Sequence, residues 1–325
     1  MNIVVVGLGS MGKRRIRLLR KNYGNYKLIG VDEQTDRRTS VEKEYDIETS
    51  GGLEEVLKAG GIDCAFICTP PLSHSKITNT CLNNNLHVFS ELNLVPDGYD
   101  ENLLLAKTRE KVLFLSSTFL YRREIQKIQE YVNNQPKNLN YTYHVGQYLP
   151  DWHPWENYTD YFVANSRTNG CRELFAIELP WIIQTFGDIK AFTVRKSKVS
   201  GLNIDYNDNY MVLLEHKSGH KGLLAVDIIS RKAVRNLEIF GEDLYLSWDG
   251  SFDGLKVFNT TNNKEEAIIT YEKAEQLQQY QRSIVEDAYL NEIEHFFDAI
   301  IGKRKPLYDF EKDKETLALI GEIEA

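Results

Sequence analysis

Short apolar runs alternate with stretches of helical periodicity up to about position 120, and the whole reading starts from that rhythm. Residues 2–6, 27–31, 63–69, 86–90 and 112–116 are rich in β-branched and aromatic side chains, as expected of strands covered on both faces. Between them, residues 13–23, 53–57, 73–84 and 99–109 have helical character, while 33–52 reads as a polar connection before the 53–57 helix. Pro70-Pro71 stops the 63–69 run, Ser73 is placed to cap the next helix, and Asn83-Asn84-Asn85 ends it. Such βαβ alternation predicts a parallel doubly wound sheet with its ligands at the carboxyl ends of the strands.

The rhythm changes after Tyr121. A helix over 123–133, a loop, a strand over 141–145 and an aromatic loop over 148–161 precede a helix over 171–186. From 192 to 269 the pattern is mostly strands broken by turn residues, which predicts an antiparallel sheet. A helix over 284–301, a turn at 302–306 and a last helix from about 311 follow. Helical periodicity is still running at Ala325, so the natural chain is expected to continue. The fold class is α/β, with an N-terminal Rossmann-type sheet over 1–121 and an α/β domain with an open, mostly antiparallel sheet over 122–325.

Composition narrows the choice. A formal charge of -8 argues against nucleic acid as a partner, since such domains are usually basic. No apolar run reaches membrane-span length and the N-terminus lacks a signal-peptide layout, so the expectation is a cytoplasmic protein with no membrane partner. Cys64, Cys68, Cys81 and Cys171 form neither a disulfide framework nor paired ligand spacing, so no metal is expected.

Chemistry concentrates first at Gly7-Leu8-Gly9-Ser10-Met11-Gly12, set between the first strand and the first helix. Gly7 permits the tight turn, Gly9 lets backbone approach a pyrophosphate, and Gly12 allows close helix–strand packing, with the phosphates at the helix N-terminus. Asp32 ends the second strand, where an acid would accept the adenosine ribose hydroxyls and favour NAD over NADP. Arg37 and Arg38 keep NADP as the alternative, because nearby arginines accommodate a 2′-phosphate. The basic residues Lys13, Arg14, Arg15, Arg17, Arg20 and Lys21 read as a solvated helix face, with Lys13 and Arg14 near the phosphates.

In order along the chain, Gly7 to Gly12, then Thr69-Pro-Pro-Leu-Ser-His74, then His87-Val-Phe-Ser-Glu91 resemble the glucose–fructose oxidoreductase / inositol dehydrogenase / MocA (Gfo/Idh/MocA) family. The tail, with Tyr289, Glu292, Phe296, Ala299, Ile300, Gly302 and Pro306 in register, is similar to that family's C-terminal segment. The resemblance implies a Rossmann domain, then a domain whose open sheet binds substrate and often mediates oligomerisation, hence a homodimer or homotetramer. It implies hydride transfer between NAD(P) and a sugar, polyol or (nucleotide-)sugar derivative, with such a small molecule as partner. It also places Thr69 and Pro70 on the nicotinamide side and Glu91 near the nicotinamide ribose; His74 is either a cofactor contact or a helix-capping support.

Two departures stand out. The family's Glu-Lys-Pro reads Glu91-Leu92-Asn93 here, so Leu92 takes the lysine position. In Asn169-Gly-Cys-Arg-Glu-Leu-Phe-Ala-Ile-Glu, Glu173 falls at the family's aspartate and Ile177 at its catalytic histidine, with Glu178 beside it. If the chain is an enzyme, Glu173, Glu178, His153 or a tyrosine must handle the hydroxyl proton. For both glutamates the other reading is an ion pair with Arg167 or Arg172. His153 lies in the densest aromatic cluster, with Tyr148, Trp152, Trp155, Tyr158 and Tyr161, whose rings suit a sugar or a packing contact. The alternative function is a non-catalytic dinucleotide-binding regulator or sensor derived from the same family.

Overall fold

The computed structural model describes residues 1–272 and 284–325. Its contacts divide these into two units, one of 1–117 with 290–315 and one of 118–289 with 316–325. The first break, at 117, falls just before the expected boundary at 121. The segment 290–315 belongs to the first unit, because its apolar and acidic side chains complete that unit's core.

The first unit runs β1 (Asn2–Val6), α1 (Ser10–Asn22), β2 (Lys27–Val31), α2 (Thr35–Tyr45), β3 (Glu48–Ser50), α3 (Leu53–Ala59), β4 (Cys64–Ile67), α4 (His74–Asn83), β5 (His87–Ser90), α5 (Tyr99–Thr108) and β6 (Leu113–Leu115). All strand pairs are parallel, in the order β3-β2-β1-β4-β5-β6. The order reverses beside β1, which makes its carboxyl end the switch point where ligands gather in such sheets. Alternation sends Val4, Val6, Ala65, Ile67 and Val88 to one buried layer. On the other face Phe66, Phe89 and Phe114 stand in register and stack at 4.8 and 5.1 Å. Phe296, from the returning segment, meets all three edge-on.

The polar stretch after Asp32 is α2 and β3, both unforeseen. The only buried side chain of α2 is Val41, and β3 is a three-residue edge strand, so neither carries a periodic apolar signal. Ser73 precedes α4 without capping it; its hydroxyl instead meets Thr69 Oγ1 and donates to the Pro70 carbonyl.

In the second unit, α6 (Arg123–Asn133), β7 (Asn140–Gly146) and α7 (Gly170–Phe186) precede β8 (Ile189–Ser197), β9 (Asn209–His216), β10 (Lys221–Asp227), β11 (Val234–Phe240), β12 (Tyr245–Trp248), β13 (Lys256–Asn259) and β14 (Lys264–Ala267). The sheet order is β14-β13-β12-β11-β7-β10-β9-β8, antiparallel except for the parallel pair β7–β10. In β9, Tyr210, Val212 and Leu214 are buried while Met211 and Leu213 are exposed, the period-two pattern of a sheet covered on one face. Because β7 and β10 are parallel, the loops that follow them leave from the same end. Backbone bonds tie the two loops together, Tyr148 N–H to the Ser230 carbonyl and Leu149 N–H to the Ile228 carbonyl. Two helices complete the chain, α8 (Glu286–Ile300) and α9 (Phe310–Glu324).

Candidate functional site

The turn after β1 shows why three glycines are spaced as they are. Gly7 has φ +92°, and a Cβ there would lie 2.7 Å from the Cys68 carbonyl oxygen. A Cβ on Gly12 would lie 1.9 Å from the Gly7 carbonyl oxygen, so α1 could not pack as it does with any side chain there. Gly9 differs, because its Cβ would meet nothing closer than the Arg37 guanidinium at 3.9 Å. Protein packing explains Gly7 and Gly12, whereas Gly9 keeps an approach open.

Gly9 is the N-cap of α1, and no side chain caps the helix or places an acid in its first turn. Ser10, Met11 and Gly12 thus open the helix with amide groups that have no intrahelical partner and a positive dipole end. That cradle fits a dinucleotide pyrophosphate. Asp32 is nearby: its Oδ2 accepts the Leu8 N–H at 2.8 Å and its Oδ1 the Gln34 N–H at 2.9 Å. Each oxygen keeps a further acceptor position for a ribose hydroxyl.

The two arginines after Asp32 divide their work. Arg38 is spent on the backbone, donating to the carbonyls of Asp32 and Glu33 and to Thr35 Oγ1. Arg37 is half exposed, with Nη1 3.7 Å from Asp32 Oδ2.

Helix α1 is less of a solvated face than its composition suggests. Arg14 and Arg15 are buried. Arg15 donates to Glu91 Oε1 at 2.6 Å and to Glu292 Oε2 at 2.7 Å, and its guanidinium lies over the Phe89 ring. Glu292 also accepts the Ser117 N–H at 2.7 Å. Glu91 is therefore held in a buried ion pair that sequence reasoning missed, its signal being a family glutamate opposite a helix that looked wholly solvated.

At the end of β4, Thr69 is half-buried and Pro70 exposed. His74 is not beside them as a free ligand. It is 3 % exposed, with Nε2 2.6 Å from the Thr69 carbonyl and Nδ1 2.6 Å from Asn93 Oδ1. Burial pulls its pKa below the ordinary imidazole value. Both nitrogens are engaged, in contacts that support the Thr69–Pro70 turn. Asn93, where the family has proline, is the residue that completes this support.

The second unit separates the two glutamates sharply. Glu178 is fully buried; its Oε2 accepts Tyr143 Oη–H and Trp181 Nε1–H, each at 2.7 Å, and its Oε1 accepts Arg235 Nε–H at 2.9 Å. The ion-pair partner of Glu178 is thus Arg235 rather than Arg167 or Arg172. Arg172 instead pairs with Glu324. Among the described residues Glu173 has no such partner. It is half-buried, its Oε2 is closed off from solvent with no hydrogen-bond partner among those residues, and burial pushes its pKa up to about 7.

His153 comes into the same neighbourhood through its ring. It stacks between Trp155 at 5.1 Å and Tyr161 at 4.8 Å, and its Nδ1 lies 2.7 Å from Glu156 Oε1. Burial, and after it the Glu173 carboxylate, lift the Tyr161 phenol above the ordinary range. The loop after β7 and the start of α7 therefore gather His153, Tyr161 and Glu173, with Trp155 71 % exposed at the outer end of the stack. On the neighbouring loop Arg231 lies over the Tyr148 ring at 4.1 Å. Among the described residues no group of three His, Cys, Asp or Glu side chains could hold a metal ion, and no helix is long and apolar enough to cross a membrane.

A turn of this kind, at the switch point of a parallel sheet in the order 3-2-1-4-5-6, defines a dinucleotide-binding Rossmann domain. Residues 1–117, a little over a third of the chain, match the GFO_IDH_MocA family, described as "Oxidoreductase family, NAD-binding Rossmann fold". A curated relative, the 4-carboxy-2-hydroxymuconate-6-semialdehyde dehydrogenase of Sphingobium sp. (strain NBRC 103272 / SYK-6), is 24% identical over 137 residues. The match spans 42% of this chain and 42% of that relative's length. Solved structures resemble nearly all of the chain. The myo-inositol 2-dehydrogenase of Lactobacillus plantarum has a TM-score of 0.79 at 18% identity, covering 99% of this chain and 96% of its own. The UDP-N-acetylglucosamine 3-dehydrogenase of Acidithiobacillus ferrooxidans has a TM-score of 0.73 at 19% identity, over 100% and 96%. An oxidoreductase from Agrobacterium radiobacter, solved with NAD+, L-tartaric acid and magnesium, has a TM-score of 0.79 at 15% identity, over 99% and 94%. These likenesses show the shared fold.

Proposed function

We propose that the chain is an NAD(P)-dependent oxidoreductase that moves a hydride between the nicotinamide and a hydroxyl-bearing carbon of a sugar, polyol or nucleotide-linked sugar. The observation that carries this reading is the β1–α1 turn, where packing excludes side chains at Gly7 and Gly12 and leaves Gly9 open beneath an uncapped helix N-terminus. Gly9, Ser10, Met11 and Gly12 would hold the pyrophosphate, Asp32 the adenosine ribose, and Thr69, Pro70 and Glu91 would serve the nicotinamide end. The bound cofactor supplies the hydride acceptor or donor. The protein must then take or give one proton at the reacting oxygen.

Glu173 suits that task, because a carboxyl poised near 7 exchanges a proton readily at neutral pH. His153, paired with Glu156, is a second candidate in the same loop cluster. The dehydrogenases of myo-inositol and of UDP-N-acetylglucosamine among the structural neighbours support a polyhydroxylated substrate.

Leu92 and Ile177, at the family's lysine and histidine positions, favour a second reading, a dinucleotide-binding regulator. Titrating purified protein with NADH and NADPH, then screening sugars and polyols for change in the nicotinamide absorbance band, separates the two. Cofactor binding with turnover supports the enzyme. Binding without turnover across the panel supports the regulator, and absence of binding removes both.

A further inference from the structure

The aromatic loop after β7 holds two tryptophans that the fold treats in opposite ways. Trp152 faces inward: its indole N–H donates to the Gln147 carbonyl at 3.1 Å. Its ring lies 3.5 Å from where a Cβ on Gly170, the first residue of α7, would stand. Packing accounts for it. Trp155 faces out, 71 % exposed. A single exposed apolar side chain needs no explanation, but one held in a fixed plane does.

The plane is fixed by local sequence. Glu156 N–H donates to the His153 carbonyl at 3.1 Å, closing a four-residue turn with Pro154 in its second position, where a locked φ is favoured. The turn lays the Trp155 ring on His153 at 5.1 Å, with 16° between planes. His153 rests in turn on Tyr161 at 4.8 Å and 29°. The His153 Nδ1 lies 2.7 Å from Glu156 Oε1, which holds the imidazole against rotation. Tyr158 Oη accepts the Asn203 N–H at 3.0 Å and ties down the far side of the loop. One indole face is thus backed by two further rings, while the other meets solvent.

Charge and size define what such a face takes. Residues 148–161 carry Asp151, Glu156 and Asp160 and no lysine or arginine, so a phosphate or carboxylate is repelled there. Arg231, on the neighbouring loop, is seated on Tyr148, which is not a member of the stack. One ring face is also far smaller than the roughly 800 Å² that each partner buries in a stable protein complex. A neutral ring with C–H bonds on its face and hydroxyls on its edge meets both conditions. Its apolar face covers the indole, and an edge hydroxyl donates to the exposed Glu156 carboxylate.

We propose that Trp155, backed by His153 and Tyr161, is a stacking platform for a neutral pyranose ring, with Glu156 accepting one of its hydroxyls. The platform stands on this loop alone. It goes beyond the oxidoreductase reading, since it needs neither the glycine turn nor a bound dinucleotide.

The test is ligand-observed NMR on the full chain with no NAD(H) present, so its outcome is independent of the oxidoreductase reading. The probes are methyl β-glucopyranoside and methyl β-galactopyranoside. Saturation transferred from the protein should concentrate on the C–H protons of one ring face. Affinity should fall about 10-fold in Trp155→Ala and recover most of that loss in Trp155→Phe, whose ring keeps the stack. Glu156→Ala should weaken binding about 3-fold or more, through the lost acceptor and the loosened imidazole. Backbone amide signals outside residues 148–161 should stay in place in every variant, which keeps misfolding from imitating the loss. Sorbitol, with the hydroxyls and no ring face, should show no preference among its protons, and UMP should bind more weakly than either glycoside. Absence of saturation up to about 100 mM glycoside would overturn the proposal. So would equal saturation of both ring faces, affinity unmoved by Trp155→Ala, or tighter binding of UMP.

Discussion

Gly9 and Gly12 differ in what a methyl group would meet, and that difference separates binding from folding. Gly12→Ala drives a Cβ toward the Gly7 carbonyl oxygen and should cost about 3 kcal/mol, visible as a lower denaturant midpoint. Gly9→Asp meets no such obstacle, so the protein should fold normally while calorimetry shows dinucleotide affinity abolished by bulk and charge. Asp32 should make NADH bind more tightly than NADPH, and Asp32→Ser should narrow the gap. A native preference for NADPH would mean that Arg37, 3.7 Å from Asp32, answers a phosphate there. Glu173 makes a different kind of statement. Its pKa rises from the ordinary 4.5 to about 7, so the folded protein holds a proton there that the unfolded chain releases. Its contribution to stability is full below about 4.5 and is lost as pH rises through about 7. Glu173→Gln should therefore gain on the unaltered protein by on the order of 3 kcal/mol between pH 4 and pH 8, measured by urea unfolding. An equal difference at both pH values would deny the buried proton.

At the level of elements, α1 carries the heaviest demand, since it presents its N-terminus to a ligand and sinks Arg15 between Glu91 and Glu292. Removing that cation leaves two buried carboxylates facing each other without compensation. Arg15→Met should destabilise the protein by about 3–5 kcal/mol, checked by thermal or denaturant unfolding. The triad also shows where reading a sequence stops. Glycine spacing, the 2–6 and 27–31 strands, α6 and α7 were legible because periodicity and turn chemistry are local. Arg15 looked like one more surface cation in a basic helix, since its partners lie far along the chain and pairing leaves no local mark. The helix α2 and the strand β3 stayed hidden because exposed edge elements bury almost nothing. For Glu173 and Glu178 the sequence showed two equivalent acids; only packing shows that Tyr143, Trp181 and Arg235 surround one, while Oε2 of the other meets no partner among the described residues.

Considered as a whole molecule, the chain completes its first unit late. Residues 290–315 supply Glu292 to Arg15 and Phe296 to the Phe66–Phe89–Phe114 stack, so a fragment of residues 1–121 lacks part of its own core. Such a fragment should melt without a cooperative transition, whereas one joining 290–315 to 117 through a short linker should recover it, as followed by circular dichroism. Domains generally fold as they leave the ribosome, the N-terminal one first. Here the dinucleotide-binding half must wait, partly formed, while more than half of the chain is still being translated. A message cut short between the glycine turn and codon 290 would yield a product with that turn intact and no finished domain to hold it in shape.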